Sequence, residues 1–415
     1  VRDQRDSGTG SLLGDVRHNP PAADPIQGDQ EQVESGDRPL VLFVSRELLP
    51  FTFGGLAKLA AEYLRHARDL RYVAMTWWHP DRKNCRSVSF EQVRPLRWLE
   101  RYRVLRGLWF IFAGWASVLR HRPTVVSGIA LNGLCVAVPA GLVLRLPRLS
   151  IVYDVDFFRK EFRLGNPVGR AFRRALMGFL LRHSNLIMCG SEKSKQDIAR
   201  LFGVPRSNIL VNPPGVEQPP DVSPAPRPSA ELVLVSVGSL VPKEGFEYVI
   251  RAVARVREMI PSTKLILIGK EVDQEYTRRL RDLTSQLDLE ESVEFLGRVD
   301  DVWSYLKMCD VFVVGSYYQK GFSMPVCEAS ACGRPVVGTE YLVSVGVLVP
   351  GETGLAVPDQ DADGLANAIV TLARDPELRS RMGENGRQYV RRFDWNVSAR
   401  TFEAHLSQLA SRSGG

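Results

Sequence analysis

Little in this sequence offers a metal site or a disulfide framework. The six cysteines (Cys85, Cys135, Cys189, Cys309, Cys327 and Cys332) are scattered, with no Cys-x-x-Cys pair and no Cys/His spacing of the zinc type. A chain of 415 residues is also too large to need disulfide staples. Cys189, Cys309 and Cys327 stand in apolar or tightly packed surroundings, as reduced core thiols do, which points to the cytoplasm. A basic stretch followed by an apolar core is missing near the start, so no secretory signal is visible. Residues 1–38 are instead polar, rich in Gly, Asp, Gln and Pro, and read as a disordered leader. The longest uncharged run, 125–144, is about long enough to span a bilayer. Ser127, Gly128, Asn132, Gly133, Pro139 and Gly141 break it up, and it reads better as a buried strand, a turn and a helix. No nucleic-acid recognition module is evident.

What is present fits a globular protein with two cores. Its 415 residues exceed what one hydrophobic core usually supports. With 44% hydrophobic and 24% charged residues the chain is neither disordered nor membrane-spanning in composition. A formal charge of +7 favours partners that carry negative charge, among them phosphorylated substrates and anionic membrane surfaces.

Apolar runs and glycine turns alternate along the chain. Residues 40–44 form a short apolar run, and after Gly54 and Gly55 the residues Leu56, Leu59, Ala60, Tyr63 and Leu64 recur at helical spacing. Strand-like runs follow at 72–75, 125–127, 150–155 and 186–189. The segment QPPDVSPAPRPS, 218–229, reads as an extended linker. A second alternation then begins, with strands at 232–237, 264–268, 293–295, 311–314 and 335–338 and helices over 246–259, 275–287, from about 324, and over 363–374. The pattern predicts an α/β chain with two doubly wound, Rossmann-like halves and a ligand cleft at the carboxyl ends of both sheets.

Three glycine-bearing loops are candidates for anion binding. Gly54 and Gly55 open the first helix, where small residues let backbone N–H groups approach a phosphate. VGSLVPKEG, 237–245, follows the first strand of the second half. GSYYQKGFSMPVCEASACG, 315–333, carries Lys320 and Gly321 into a helix that holds Glu328, a carboxylate suited to ribose hydroxyls.

The ordered segments VGSLVPKEGFEYVIRAV, LILIG, VEFLGRV, CDVFVVGS, KGFSMPVCEASACGRPVV, GETGLAV and FDW resemble family 4 of the retaining glycosyltransferases. In the first half IVYDVD, SNLIMCGS and ILVNPPGVE are similar too, so the likeness runs from about residue 40 to 410. The resemblance implies a GT-B fold, with an N-terminal acceptor domain at 39–217, a linker at 218–229, a donor domain at 230–395, and a last helix at 396–411 crossing back. It implies metal-independent transfer of a hexosyl unit from a nucleotide-diphosphate sugar, with retention; the nucleotide sugar is a substrate, and no cofactor or metal is expected. Donor-binding residues carried over are Gly54, Gly55, Ser239, Lys243, Lys270, Arg298, Gly321, Phe322, Ser323 and Glu328; Asp156 and Lys320 fall at catalytic positions.

Four positions depart from the family. Arg and Lys, which bind the donor diphosphate, are usual where this chain has Ser239 and Glu244. Glu is usual at Lys320 and His at Asp156. Losing paired cations and gaining a carboxylate weakens a diphosphate site, because charge-assisted hydrogen bonds are the strong ones. A non-catalytic relative, acting as a partner subunit or a sugar- or nucleotide-binding protein, is therefore the alternative reading.

Two basic stretches complete the picture. Arg94, Arg97, Arg101, Arg103 and Arg106 interleave with Trp98, Tyr102, Trp109 and Phe110; Arg159, Lys160, Arg163, Arg170, Arg173 and Arg174 alternate with Phe157, Phe158, Phe162 and Phe172. Such stretches lie on anionic membranes or cover ordinary helix faces with snorkelling arginines. Both fall in the half that would hold the acceptor. The expectation is a lipid-linked or membrane-borne acceptor and a cytoplasmic protein peripheral to the inner membrane face.

Overall fold

The computed structural model describes residues 38–45, 55–76, 88–93, 103–153, 167–221, 231–317 and 322–412. Strand β1 (Leu40–Val44) is buried along nearly its whole length, as a central strand covered on both faces must be. It pairs in parallel with β2 (Arg71–Thr76) on one side and β4 (Val125–Ile129) on the other. With β3 (Val88–Gln92), β5 (Arg148–Ile151), β6 (Leu186–Cys189) and β7 (Ile209–Val211) the order is β3-β2-β1-β4-β5-β6-β7. The alternation in β1 assigns the two faces. Val41 and Phe43 meet α1 (Gly55–His66) and the last helix of the chain. Leu42 and Val44 meet α2 (Arg103–His121) and α3 (Ala130–Val143). Helix α3 also packs on α4 (Pro167–Arg182) and, through one shared core, on α5 (Glu192–Phe202).

The second sheet is built the same way. Strands β8 (Leu232–Val237), β9 (Thr263–Ile268), β10 (Val293–Gly297), β11 (Val311–Val314), β12 (Val336–Thr339) and β13 (Gly354–Val357) run in the order β10-β9-β8-β11-β12-β13, all parallel. Between and after them come α6 (Phe246–Met259), α7 (Gln274–Gln286), α8 (Trp303–Met308), α9 (Met324–Ala331), α10 (Glu340–Ser344), α11 (Ala362–Arg374) and α12 (Pro376–Val390). The expectation of two doubly wound, Rossmann-like halves holds. Each sheet reverses its order once, between β1 and β4 and between β8 and β11. Those switch points are where the flanking loops diverge and a ligand can enter.

The final helix, α13 (Trp395–Ser411), starts at Asp394, whose side chain accepts from the N–H groups of Asn396 and Val397. It packs against the first half: Phe402 lies 4.8 Å from Tyr63, centroid to centroid. Its buried Glu403 accepts from the N–H groups of Arg68 (3.0 Å), Asp69 (3.1 Å) and Leu70 (3.2 Å) and from the Tyr72 hydroxyl (3.2 Å). One carboxylate thereby satisfies the turn between α1 and β2.

The uncharged run at 125–144 is strand β4 passing directly into α3, with Ala130 at φ 56°. A Cβ on Gly128 would stand 2.5 Å from the Gly133 carbonyl oxygen, so glycine is required for so abrupt a turn. No described helix is long and apolar enough to cross a membrane. Helix α12 was not legible. Two of its buried contacts are Gly383 and Gly386, and the Gly383 position has no room for a Cβ, which would be 2.1 Å from the Gly333 carbonyl oxygen. Close glycine packing replaces the apolar periodicity that would announce the helix.

Candidate functional site

The carboxyl ends of β8, β9 and β11 are knitted together by glycines. A Cβ on Gly269 would fall 1.7 Å from the Gly238 carbonyl oxygen. Gly245, at φ 63°, would place a Cβ 2.0 Å from the Gly315 carbonyl oxygen. Neither loop has room for a side chain, so the backbones of three strand-end loops close on one another. Side chains then lock them. The Ser316 hydroxyl donates to the Glu244 carboxylate (3.1 Å), and the Thr339 hydroxyl donates to the Ser316 carbonyl. Glu244 is buried, with one oxygen 3.0 Å from where a Cβ on Gly238 would lie. It joins the loop after β8 to the loop after β11, across the switch point.

The expected donor-binding residues fall into two groups. Ser239, Lys270 and Arg298 follow the carboxyl ends of β8, β9 and β10, and all three are exposed; Lys243 is half-buried in the short turn before α6. Leu240 N–H donates to the Lys270 carbonyl at 2.9 Å, which brings the Ser239 and Lys270 loops together. Arg298 is more remote: β10 lies three strands from β11, about 14 Å at the usual spacing of about 4.8 Å. On the other side of the switch point, Ser323 is the residue before α9, and its side chain does not cap that helix. The first-turn N–H groups of α9 are thus left to other partners. Glu328, in the middle of α9, is buried. Gly55 begins α1, the helix that follows the inner strand β1 of the first sheet. Gly54, Asp156, Lys320 and Gly321 lie outside the described residues.

The two halves meet beside this loop. Gly190 follows β6, and a Cβ on it would stand 3.6 Å from the Phe322 Cβ and 2.7 Å from the Tyr153 ring. Phe322 in turn packs edge-on to Phe393, centroids 4.9 Å apart, and Met324 reaches the core of the first half. Tyr153, two residues after β5, is held by a buried hydroxyl network that sequence reasoning did not find. Its hydroxyl is 2.5 Å from that of Tyr63 and also donates to the Asn212 carbonyl. Tyr63 is 2.9 Å from the Ser398 hydroxyl and accepts from the Asn212 amide at 3.1 Å. Burial pushes the Tyr63 hydroxyl up to about 12, so it remains a neutral donor. The network ties α1, the residues after β5, the crossover after β7 and α13 together.

Among the described residues, no group of three His, Cys, Asp or Glu side chains gathers closely enough to hold a metal ion. Two surface concavities of ≈ 390 and ≈ 270 Å³, the first lined by Arg145 and Arg148 and the second by His405 and Gln408, sit at the amino ends of β5–β7. That edge is opposite the loops described above, so shape alone would mislead.

Two Rossmann-like halves, joined by a crossover and a returning helix, with glycine-built loops at the switch point of the second half, define a GT-B architecture. The description Glycosyltransferase Family 4 matches residues 53–218, and Glycosyl transferases group 1 matches residues 219–389. The chain belongs to this glycosyltransferase family. It is 28% identical over 236 residues to the D-inositol 3-phosphate glycosyltransferase of Stackebrandtia nassauensis, covering 53% of each chain. It is 30% identical over 234 residues to the lipopolysaccharide core biosynthesis glycosyltransferase LpsE of Rhizobium meliloti, covering 56% of this chain and 66% of that one. The chain thus spans about half to two thirds of the length of these curated relatives. Among solved structures, Anabaena Alr3699/HepE in complex with UDP and glucose superposes with a TM-score of 0.73 at 19% identity, over 89% of this chain and 100% of that one. At that identity the likeness concerns the fold.

Proposed function

We propose that this chain transfers a hexosyl unit from a nucleotide-diphosphate sugar, with retention and without a metal, to a lipid-linked or membrane-borne acceptor at the cytoplasmic face of a membrane. The observation that carries the reading is the glycine-built junction of the loops after β8, β9 and β11, beside a helix that its N-cap residue Ser323 does not cap and that buries Glu328. In this reading the loop backbones left uncovered by side chains, together with the start of α9, take the diphosphate, and Glu328 accepts from the ribose hydroxyls. Transfer breaks the bond between the sugar C1 and the diphosphate oxygen and forms one from the acceptor oxygen to C1. Negative charge collects on the departing diphosphate, so fixed N–H donors with Lys243 and Lys320 supply the main stabilisation. Asp156 would act on the acceptor side. Relatives named for inositol phosphate and for lipopolysaccharide core support an acceptor of that kind, and the UDP–glucose complex of a structural neighbour supports the donor class.

A second reading has its own support. Glu244 is acidic and buried in the loop junction itself, where a cation would better serve a diphosphate. A non-catalytic partner subunit or sugar- or nucleotide-binding protein would tolerate that. A thermal-shift screen of UDP, GDP, ADP and their sugar conjugates separates the readings, since ligand at 100 times its dissociation constant stabilises by about 2.7 kcal/mol. The transferase reading expects one nucleotide sugar to raise Tm, and Glu328→Ala to weaken its binding by about 1.5–3 kcal/mol. Lys320→Glu should lower donor affinity and turnover. No shift with any of them in the wild type, beside binding created by Ser239→Arg, Glu244→Lys and Lys320→Glu together, would favour the non-catalytic reading.

A further inference from the structure

Helices α2, α3 and α4 lie side by side on one face of the first sheet. Phe110 and Val118 of α2 share a core with Val136, Ala137 and Ala140 of α3, and Leu134 and Val138 of α3 share one with Met177, Leu180 and Leu181 of α4. Gly114 of α2 sits so close to α3 that a Cβ there would meet Val136 at 2.5 Å. The outer surface of this layer is apolar in a way that packing does not explain. On α2, Leu108, Phe112 and Leu119 are 56%, 67% and 61% exposed, at spacings of four and seven that keep them on one stripe. On α4, Val168 and Phe172 are 77% and 66% exposed, and Phe179 continues the line. Single exposed apolar residues mean little, but two stripes on the helices that flank α3, itself without a charged side chain, form a face of the kind that meets another apolar phase.

Charge decides what that phase is. From residue 101 to 153 and from 162 to 191 the sequence contains no Asp or Glu. Every charged side chain on the three helices and the turns that end them is therefore cationic or a histidine. Arg120 is committed to Glu91 of β3, but Arg122, Arg145 and Arg174 are exposed and form no ion pair among the described residues. Apolar stripes within a field of one sign suit a surface that is negative outside and apolar beneath. Topology also orients the patch. Helices that follow parallel strands begin at the carboxyl edge, so Leu108 of α2 and Val168 and Phe172 of α4 stand nearer that edge, where Tyr153 and Gly190 face Phe322.

We infer that the outer face of α2, α3 and α4 docks on an anionic lipid bilayer, with Leu108, Phe112, Leu119, Val168, Phe172 and Phe179 entering the interface. The inference rests on the membrane-borne acceptor of the proposed function, and it names the surface that brings the acceptor side to the lipid.

The test is sedimentation of the full chain with vesicles of phosphatidylcholine alone or with about one third phosphatidylglycerol, at about 0.1 M and about 1 M salt. The wild type should partition onto anionic vesicles and lose most of that partition at high salt. Leu108→Ser, Phe112→Ser and Phe172→Ser together should lower it by about a thousandfold, since each such side chain is worth about tenfold or more when buried. Arg145→Gln with Arg174→Gln should lower it by about fivefold per arginine. Thermal melts of both variants check that they fold. Equal partition onto neutral and anionic vesicles, none onto either, or unchanged partition of the triple variant would overturn the inference. So would a concentration-dependent dimer lost in the triple variant while vesicle binding stays absent, which would make a second copy the occupant. Nucleotide-sugar binding, measured without vesicles, should be equal in all three proteins; its absence with vesicle partition intact would sink the donor reading and leave the docking surface standing.

Discussion

Replacing Glu244 by Gln isolates a charge from a hydrogen bond. The Ser316 hydroxyl, 3.1 Å away, can still donate to the amide oxygen, so the two loops remain joined. What disappears is one negative charge beside Gly238. The nearest Glu244 oxygen is 3.0 Å from the place a Cβ on Gly238 would take. A phosphate oxygen lying against the backbone of that turn would stand about 3 Å further on, for a separation of about 6 Å. At that distance two unit charges repel by about 0.7 kcal/mol in a water-like medium and by about 2.8 kcal/mol at an effective dielectric of about 20. Glu244→Gln should therefore tighten nucleoside diphosphate binding by roughly threefold to a hundredfold, more at low salt than at high salt. It should cost about 1 kcal/mol of stability, as a charged hydrogen bond becomes a neutral one. Isothermal calorimetry with the preferred nucleotide at two salt concentrations reads the first effect, and urea unfolding reads the second. Weaker binding in a folded Glu244→Gln protein would refute the reasoning, because it would mean the carboxylate helps hold the ligand.

Further outcomes follow from buried groups away from that loop. Glu403→Ala strands three N–H groups that now share one carboxylate, and should destabilise the protein by about 3 kcal/mol or more in urea unfolding; a loss under about 1 kcal/mol would show that water replaces the carboxylate. Burial raises the Tyr63 hydroxyl to about 12 and lifts Tyr72, Tyr153 and Tyr276 as well. A raised folded value means the unfolded chain loses these protons first, so stability should fall as pH rises from about 10 toward 12; ultraviolet titration showing all tyrosines ionising near pH 10 in the folded protein would contradict this. Burial also pushes Cys135 and Cys332 up to about 11 and Cys189 up to about 12. These thiols should react with a disulfide reagent at pH 8 on the order of a hundredfold more slowly than in the unfolded chain, and a rapid phase assigned to any of the three by mass spectrometry would be the contrary result.

The parts that were legible are those where burial leaves a periodic mark. Strands β1, β6, β8 and β11 stood out because parallel strands covered on both faces are unbroken apolar runs. Edge and short strands did not: β3 reads VSFEQ and is only half-buried, and β7 has three residues. The site divides along the same line. Glycine loops after strands marked where a ligand could approach, but no pattern states that Gly245 and Gly315 touch each other, or that Tyr63 and Ser398 meet across 335 residues. Glu244 shows why that matters. Along the chain it reads as a charge reversal facing a diphosphate. In the folded protein its carboxylate turns inward, and the Ser316 hydroxyl bonds it. A carboxylate here joins two loops in a way a cation at the same place could not, since the Ser316 hydroxyl donates to it and an ammonium has no acceptor. The departure at Glu244 is then as compatible with a rewired donor loop as with a lost one. What distinguishes the two is the charge left beside Gly238, the quantity that Glu244→Gln alters.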